Sequence, residues 1–80
     1  MATTKQIVTH EWVKITDGTK DQSLQFTGEI ALCNSPEQPA PDAPAFRFET
    51  QAYQTLTIPK GDIAWARAAA PDGAVILLLW

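Results

Sequence analysis

The sequence predicts an all-β fold, a small antiparallel β-sandwich or barrel of about seven short strands, on three observations. Turn-forming dipeptides recur at short intervals, apolar and polar residues alternate at period two between them, and helical spacing is poor almost throughout. Each expected strand follows from these signals.

The first runs from Ile7 to Thr16. It breaks its own pattern, because Ile7, Val13 and Ile15 share one parity while Val8 and Trp12 take the other. Either a β-bulge near His10 and Glu11 resets the register, or Trp12 lies outside the core. Asp17-Gly18 ends the segment, since Asp tolerates and Gly readily adopts left-handed backbone. Leu24 and Phe26 then alternate with Ser23 and Gln25, giving a strand over Ser23 to Phe26. Gly28 marks a turn or a bulge before a strand from Glu29 to Asn34, where Ile30 and Leu32 share one parity. Residues 35–44 carry four of the six prolines, and proline lacks the amide that a sheet ladder needs. That stretch reads as a semi-rigid surface connection, ahead of a polyproline segment for an aromatic groove.

Phe46 and Phe48 alternate with Arg47 and Glu49 in a strand from Ala45 to Thr50. Leu56 and Ile58 alternate with Thr55 and Thr57 in the next. Pro59-Lys60-Gly61-Asp62 is a turn. Ile63 to Ala68 alternates Ile63, Trp65 and Arg67 with alanines, which favours a strand over a short helix stopped by Pro71. After Asp72-Gly73 comes Ala74 to Trp80, apolar at both parities: Val75, Leu77 and Leu79 on one, Ile76, Leu78 and Trp80 on the other. Such a strand needs cover on two faces, and 80 residues hold little material for the second, so a subunit interface is the economical expectation.

Size and charge bound the function. With 45% apolar and 19% charged residues the chain reads as one globular β domain, residues 1–80. A core of this size is marginal, and the single Cys33 excludes an intramolecular disulfide, so oligomerisation is the expected aid. The net charge of -3, with scattered cations, argues against nucleic acid. The longest apolar run is too short to span a bilayer and the N-terminus lacks a signal-peptide pattern, so the expectation is no membrane and a soluble, cytoplasmically made product.

No motif for catalysis, metal or cofactor stands out, and no enzyme is expected. His10 beside Glu11 lacks a matching nucleophile, because nothing near Cys33 resembles an activating motif and cysteine defaults to a small core residue. Asp17 and Asp21 sit close together, but Lys20 between them suits a solvated hairpin turn and not a calcium loop. The aromatic residues carry more. Trp65 and Arg67, two apart on one strand face, suit an interface pair or a cation–π contact, against a Trp65 that fills the core while Arg67 extends from its edge. With Ile76, Leu78 and Trp80 they form the expected interface. Trp12 and Tyr53 are the candidate glycan or ligand contacts.

Three groups of residues resemble small accessory proteins from the structural gene clusters of tailed bacteriophages. These are Trp12-Val13-Lys14-Ile15 before Asp17-Gly18, Ala31-Leu32-Cys33-Asn34-Ser35 leading to Phe46-Arg47-Phe48, and Ala64-Trp65-Ala66-Arg67-Ala68 before the terminal apolar strand. The motifs are loose strand-and-turn patterns that span nearly the whole chain. The resemblance implies a β-structured virion component of the decoration, knob or fibre-attachment type, made in the host bacterial cytoplasm and located in the virion. It implies partners in copies of the chain itself and in other virion proteins, and it brings no catalytic residues. A small glycan- or ligand-binding β module is the alternative.

Overall fold

A computed structural model describes residues 3–69 and 73–80. Among them six strands form one antiparallel sheet: β1 (Thr4–Val8), β2 (Val13–Lys14), β3 (Gln22–Asn34), β4 (Phe46–Ile58), β5 (Ala64–Ala68) and β6 (Val75–Leu79). The all-β expectation holds, but the count of seven is corrected to six. Two strands expected on either side of Gly28 join as β3, and the two expected on either side of residues 51–54 join as β4. The first expected strand instead divides, because the chain leaves the sheet between Val8 and Val13.

In register, the six strands act as four long ones crossed by a single line of bends. β5 and β6 lie end to end along one edge of β3, with Ala64–Ala68 facing Asn34–Ile30 and Leu78–Leu79 facing Gln25–Leu24. β2 and β1 lie in the same way along β5 and β6, and β4 covers the other edge of β3. Every long strand is irregular at one level. β1 and β2 part around residues 9–12, and β5 and β6 part after Ala68. The β3–β4 ladder shifts where Thr27 alone opposes residues 51–53. The Thr9 carbonyl accepts from the Ala68 amide at 2.7 Å, which ties two of these interruptions together. Extra residues at one level sharpen the local twist and bend the sheet. Gly28 stands on this line with φ 101°, a backbone conformation that residues with a Cβ rarely adopt.

Bent in this way, the sheet folds its two halves over one interior, as a half-open barrel. Leu24, Phe26, Leu77, Leu79 and Val8 come from one half, and Ile30, Leu32, Ala66 and Ala68 from the other, all within one buried cluster. Phe26 meets Phe48 edge-on across the fold, ring centroids 5.5 Å apart, a preferred aromatic geometry. The extra residues in β4 keep its parity, so Phe46, Phe48, Leu56 and Ile58 all follow the inward side as their alternation predicts. The break at residues 9–12 shifts parity instead: Val8 points inward and Ile7 outward, while Val13 pairs with the buried Ala66. The expected register reset near His10 and Glu11 is therefore present.

The expected hairpin at Asp17-Gly18 is corrected. β2 and β3 do not pair with each other; both flank β5, so this turn belongs to a crossover connection. The Asp17 carboxylate accepts from the Thr19 amide and hydroxyl, at 3.0 and 2.6 Å, and these bonds hold its pKa below the ordinary value. Pro59–Asp62 carries β4 across the end of β3 to β5. Its Gly61, at φ 100°, supplies the positive φ that a type II turn needs. The two crossovers are bonded together, Gly61 N donating to Gly18 O at 3.0 Å and Lys60 N to Asp21 Oδ1 at 2.8 Å. Asp72, expected as part of a turn, and Pro71, the stop of the alternative short helix, lie outside the described residues.

Candidate assembly surface

The outer face of the bent sheet has two ends, and the chain treats them differently. At the β2–β5 end, residues 35–44 fold back over the sheet. Three side chains fasten them: Trp12 Nε1 donates to Ala40 O at 3.1 Å, Trp65 Nε1 to Ser35 O at 2.9 Å, and Arg67 to Pro41 O at 2.8 Å. The Arg67 guanidinium lies 4.4 Å from the centre of the Trp12 ring, and Lys14 Nζ lies 5.9 Å from that of Trp65. Each contact is within cation–π range. The core alternative for Trp65 and the core expectation for Cys33 are both corrected here. Trp65 does not fill the core: Ala64, Ala66 and Ala68 face inward and Trp65, half-buried, faces out. Cys33 is not a core residue either, since it stands opposite Trp65 on the outer face, half-buried.

Space decides the orientation of β5. The interior is already filled by Phe26, Leu24, Ile30 and Leu77, all essentially without solvent exposure, so small methyls fit where an indole does not. The outward indole and guanidinium are then free to hold the proline-rich connection.

At the β1–β6 end nothing among the described residues covers the face. Val75, Leu77 and Leu79 enter the core, which sends Ile76, Leu78 and Trp80 outward. Ile7 of β1 stands directly opposite Ile76, and the two are 58% and 53% exposed. Trp80 is 64% exposed. Leu78, half-buried, lies between Lys5 and Gln25 in register. Trp80 is held by its backbone, exchanging hydrogen bonds with Ser23 at 3.1 Å in both directions, and the Gln22 amide donates to its carbonyl. Beside this apolar stripe runs a polar ladder in which Ser23 meets Thr57 and Gln25 meets Thr55. Ile7 was missed by the sequence reading because its parity matched Val13 and Ile15; only the register break turns it outward.

The expected interface residues are thus divided. Trp65 and Arg67 are engaged within the chain, while Ile76, Leu78 and Trp80 share the bare end. The expected ligand contacts are divided as well. Trp12 is 7% exposed and covered by Arg67 and the connection, leaving little ring for a saccharide, whereas Tyr53 on β4 is 69% exposed.

A second apolar opening lies at the mouth of the half-barrel. A groove of about 630 Å³ runs between the two halves of β4, lined by Phe46, Phe48, Leu56, Ile58, Leu32 and Pro44 among others. Phe46 is 78% exposed there. Among the described residues no group of three or more His, Cys, Asp or Glu side chains is placed to hold a metal ion, and no helix is long and apolar enough to cross a membrane. Compared with protein-family models, curated proteins and solved structures, the chain gives no match.

Proposed function

We propose that the protein acts by assembly, its bare β1–β6 face docking on a second copy and on other structural proteins of a bacteriophage virion. One observation carries the assembly reading: the uncovered apolar stripe of Ile7, Ile76, Leu78 and Trp80 along the outer face of β1 and β6. Contiguous exposed apolar surface is costly in water and marks interaction sites, and burying a large apolar side chain contributes about 1.5–3 kcal/mol. β1 is also an edge strand, paired only with β6, so a neighbour can add a strand while covering the stripe. The virion part of the reading rests on the sequence resemblance.

Molar mass by size-exclusion chromatography with light scattering, over a dilution series, tests the interface. The expected result is a stable multiple of 8.8 kDa, reduced to monomer by Leu78→Asp or Trp80→Ala with the circular dichroism of a folded chain retained. A wild-type monomer at all concentrations overturns the self-assembly reading. The exposed rings of Tyr53 and Trp80 favour a glycan-binding module as the second reading. Tryptophan fluorescence that shifts with cell-surface saccharides in the wild type, but not in Trp80→Ala, supports it.

A further inference from the structure

We propose that the cavity between Arg47 and Arg67 is a binding site for a small oxyanion, a phosphate ester or a dicarboxylate. Ala31 on β3 is in register with Arg47 on β4 and with Arg67 on β5, so the two arginines rise on the same face with only a methyl group between them. The cavity above this methyl measures about 300 Å³, and Ala43, Ala45, Ala69 and His10 complete its wall. Its small side chains leave room between the cations, and its size suits a small ligand.

The two guanidinia play different parts. Arg67 is held in place before any ligand arrives, lying 4.4 Å over the Trp12 ring and donating to Pro41 O at 2.8 Å. Its planar fork still has donors to offer, and a pre-ordered group loses little freedom on binding. The Arg47 side chain is exposed and makes no hydrogen bond or ion pair among the described residues. The carboxylates of this face, Glu29 and Glu49, stand opposite each other two residues further along and do not line the cavity. A chain of net charge -3 with six cations therefore places two of them beside its single histidine on one cavity. Two guanidinia facing a shared space repel, and an oxyanion bound between them removes that repulsion while accepting charge-assisted hydrogen bonds from both. The site is at the covered end of the molecule, so its test does not depend on the assembly surface.

The experiment is an NMR titration of the ¹⁵N-labelled chain with inorganic phosphate and, separately, with succinate, at ionic strength matched by sodium chloride. Saturable shifts of the Trp12 indole N–H and the arginine Nε–H signals are expected with at least one probe. Phosphate binding alone identifies a phosphate ester as the ligand class, and succinate binding alone a dicarboxylate. Arg47→Gln is expected to weaken binding at least about tenfold, the loss of one charged hydrogen-bond donor, with the fold intact because that side chain is exposed and unbonded. Lys5→Gln, the same charge change at the opposite end, is expected to leave affinity unchanged. Shifts no larger than those of chloride, or equal weakening by Lys5→Gln and Arg47→Gln, overturn the proposal.

Discussion

The two ends of the outer face begin with the same problem and solve it differently. Each end of the bent sheet sends large side chains outward: Trp12, Trp65 and Arg67 at one, Ile7, Ile76, Leu78 and Trp80 at the other. At the first end every large group has a polar atom, and each spends it on a backbone carbonyl of the proline-rich connection. At the second end three of the four side chains are purely aliphatic and can fasten nothing by hydrogen bonds. The covered end thus needs directional contacts within the chain. The bare end can gain only from non-directional burial, which a partner supplies as well as the chain itself does.

Substitutions can break or sharpen this contrast, in descending order of their effect on folding. Phe26 is fully buried and touches both halves through Phe48. Phe26→Ala is expected to cost about 3–5 kcal/mol and to loosen both ends together. In a domain of this size that leaves little stability, as a urea titration would reveal. Trp12→Phe keeps an aromatic ring under Arg67 but removes the indole donor to the Ala40 carbonyl, which then accepts from the Ala43 amide alone. It is expected to cost about 0.5–1.5 kcal/mol and to speed exchange of the Ala40, Asp42 and Ala43 amides and not of those in β6. Equal exchange at both ends would show that the indole bond does not hold the connection.

The smallest effect is expected at Asp17, on an exposed turn belonging to neither end. Its pKa is lowered first by the Thr19 side-chain hydrogen bond and then by the Thr19 amide. A carboxyl depressed in the folded state stabilises above its ordinary value of 3.8, and that contribution fades as the pH falls through the lower folded value. Asp17→Asn should therefore flatten the acid limb of stability below about pH 4 and leave both ends unaltered. An unchanged acid limb would mean that the Thr19 contacts do not persist in solution.

Much of the local structure was legible in the sequence. Alternation placed Leu24, Phe26, Ile30, Leu32, Phe48, Leu56 and Ile58 on the inner side, and these positions do face the interior. Turn chemistry located Asp17-Gly18 and Pro59–Asp62, though not which strands they connect. The terminal strand's double apolarity pointed to a face without cover, and Ile76 and Trp80 are on it. The candidate site was less legible. Alternation alone left Ile7 without a side, because the size of the interruption at residues 9–12 sets its parity, and no local signal gives that size.

Composition and periodicity thus determined by themselves that the chain is all-β, where its strands alternate, and that its last strand carries more apolar surface than one core can take. These are local properties, fixed by two-residue side-chain alternation and the φ preferences of Gly, Asp and Pro. Only the tertiary structure decided that seven expected strands become six, that alanines and not Trp65 line the interior, and that Trp12, Trp65 and Arg67 hold the chain's own connection. Those outcomes depend on where four long strands bend together and on how much volume the closed interior leaves. Both are set by contacts between residues far apart in the chain, which no short window of sequence contains.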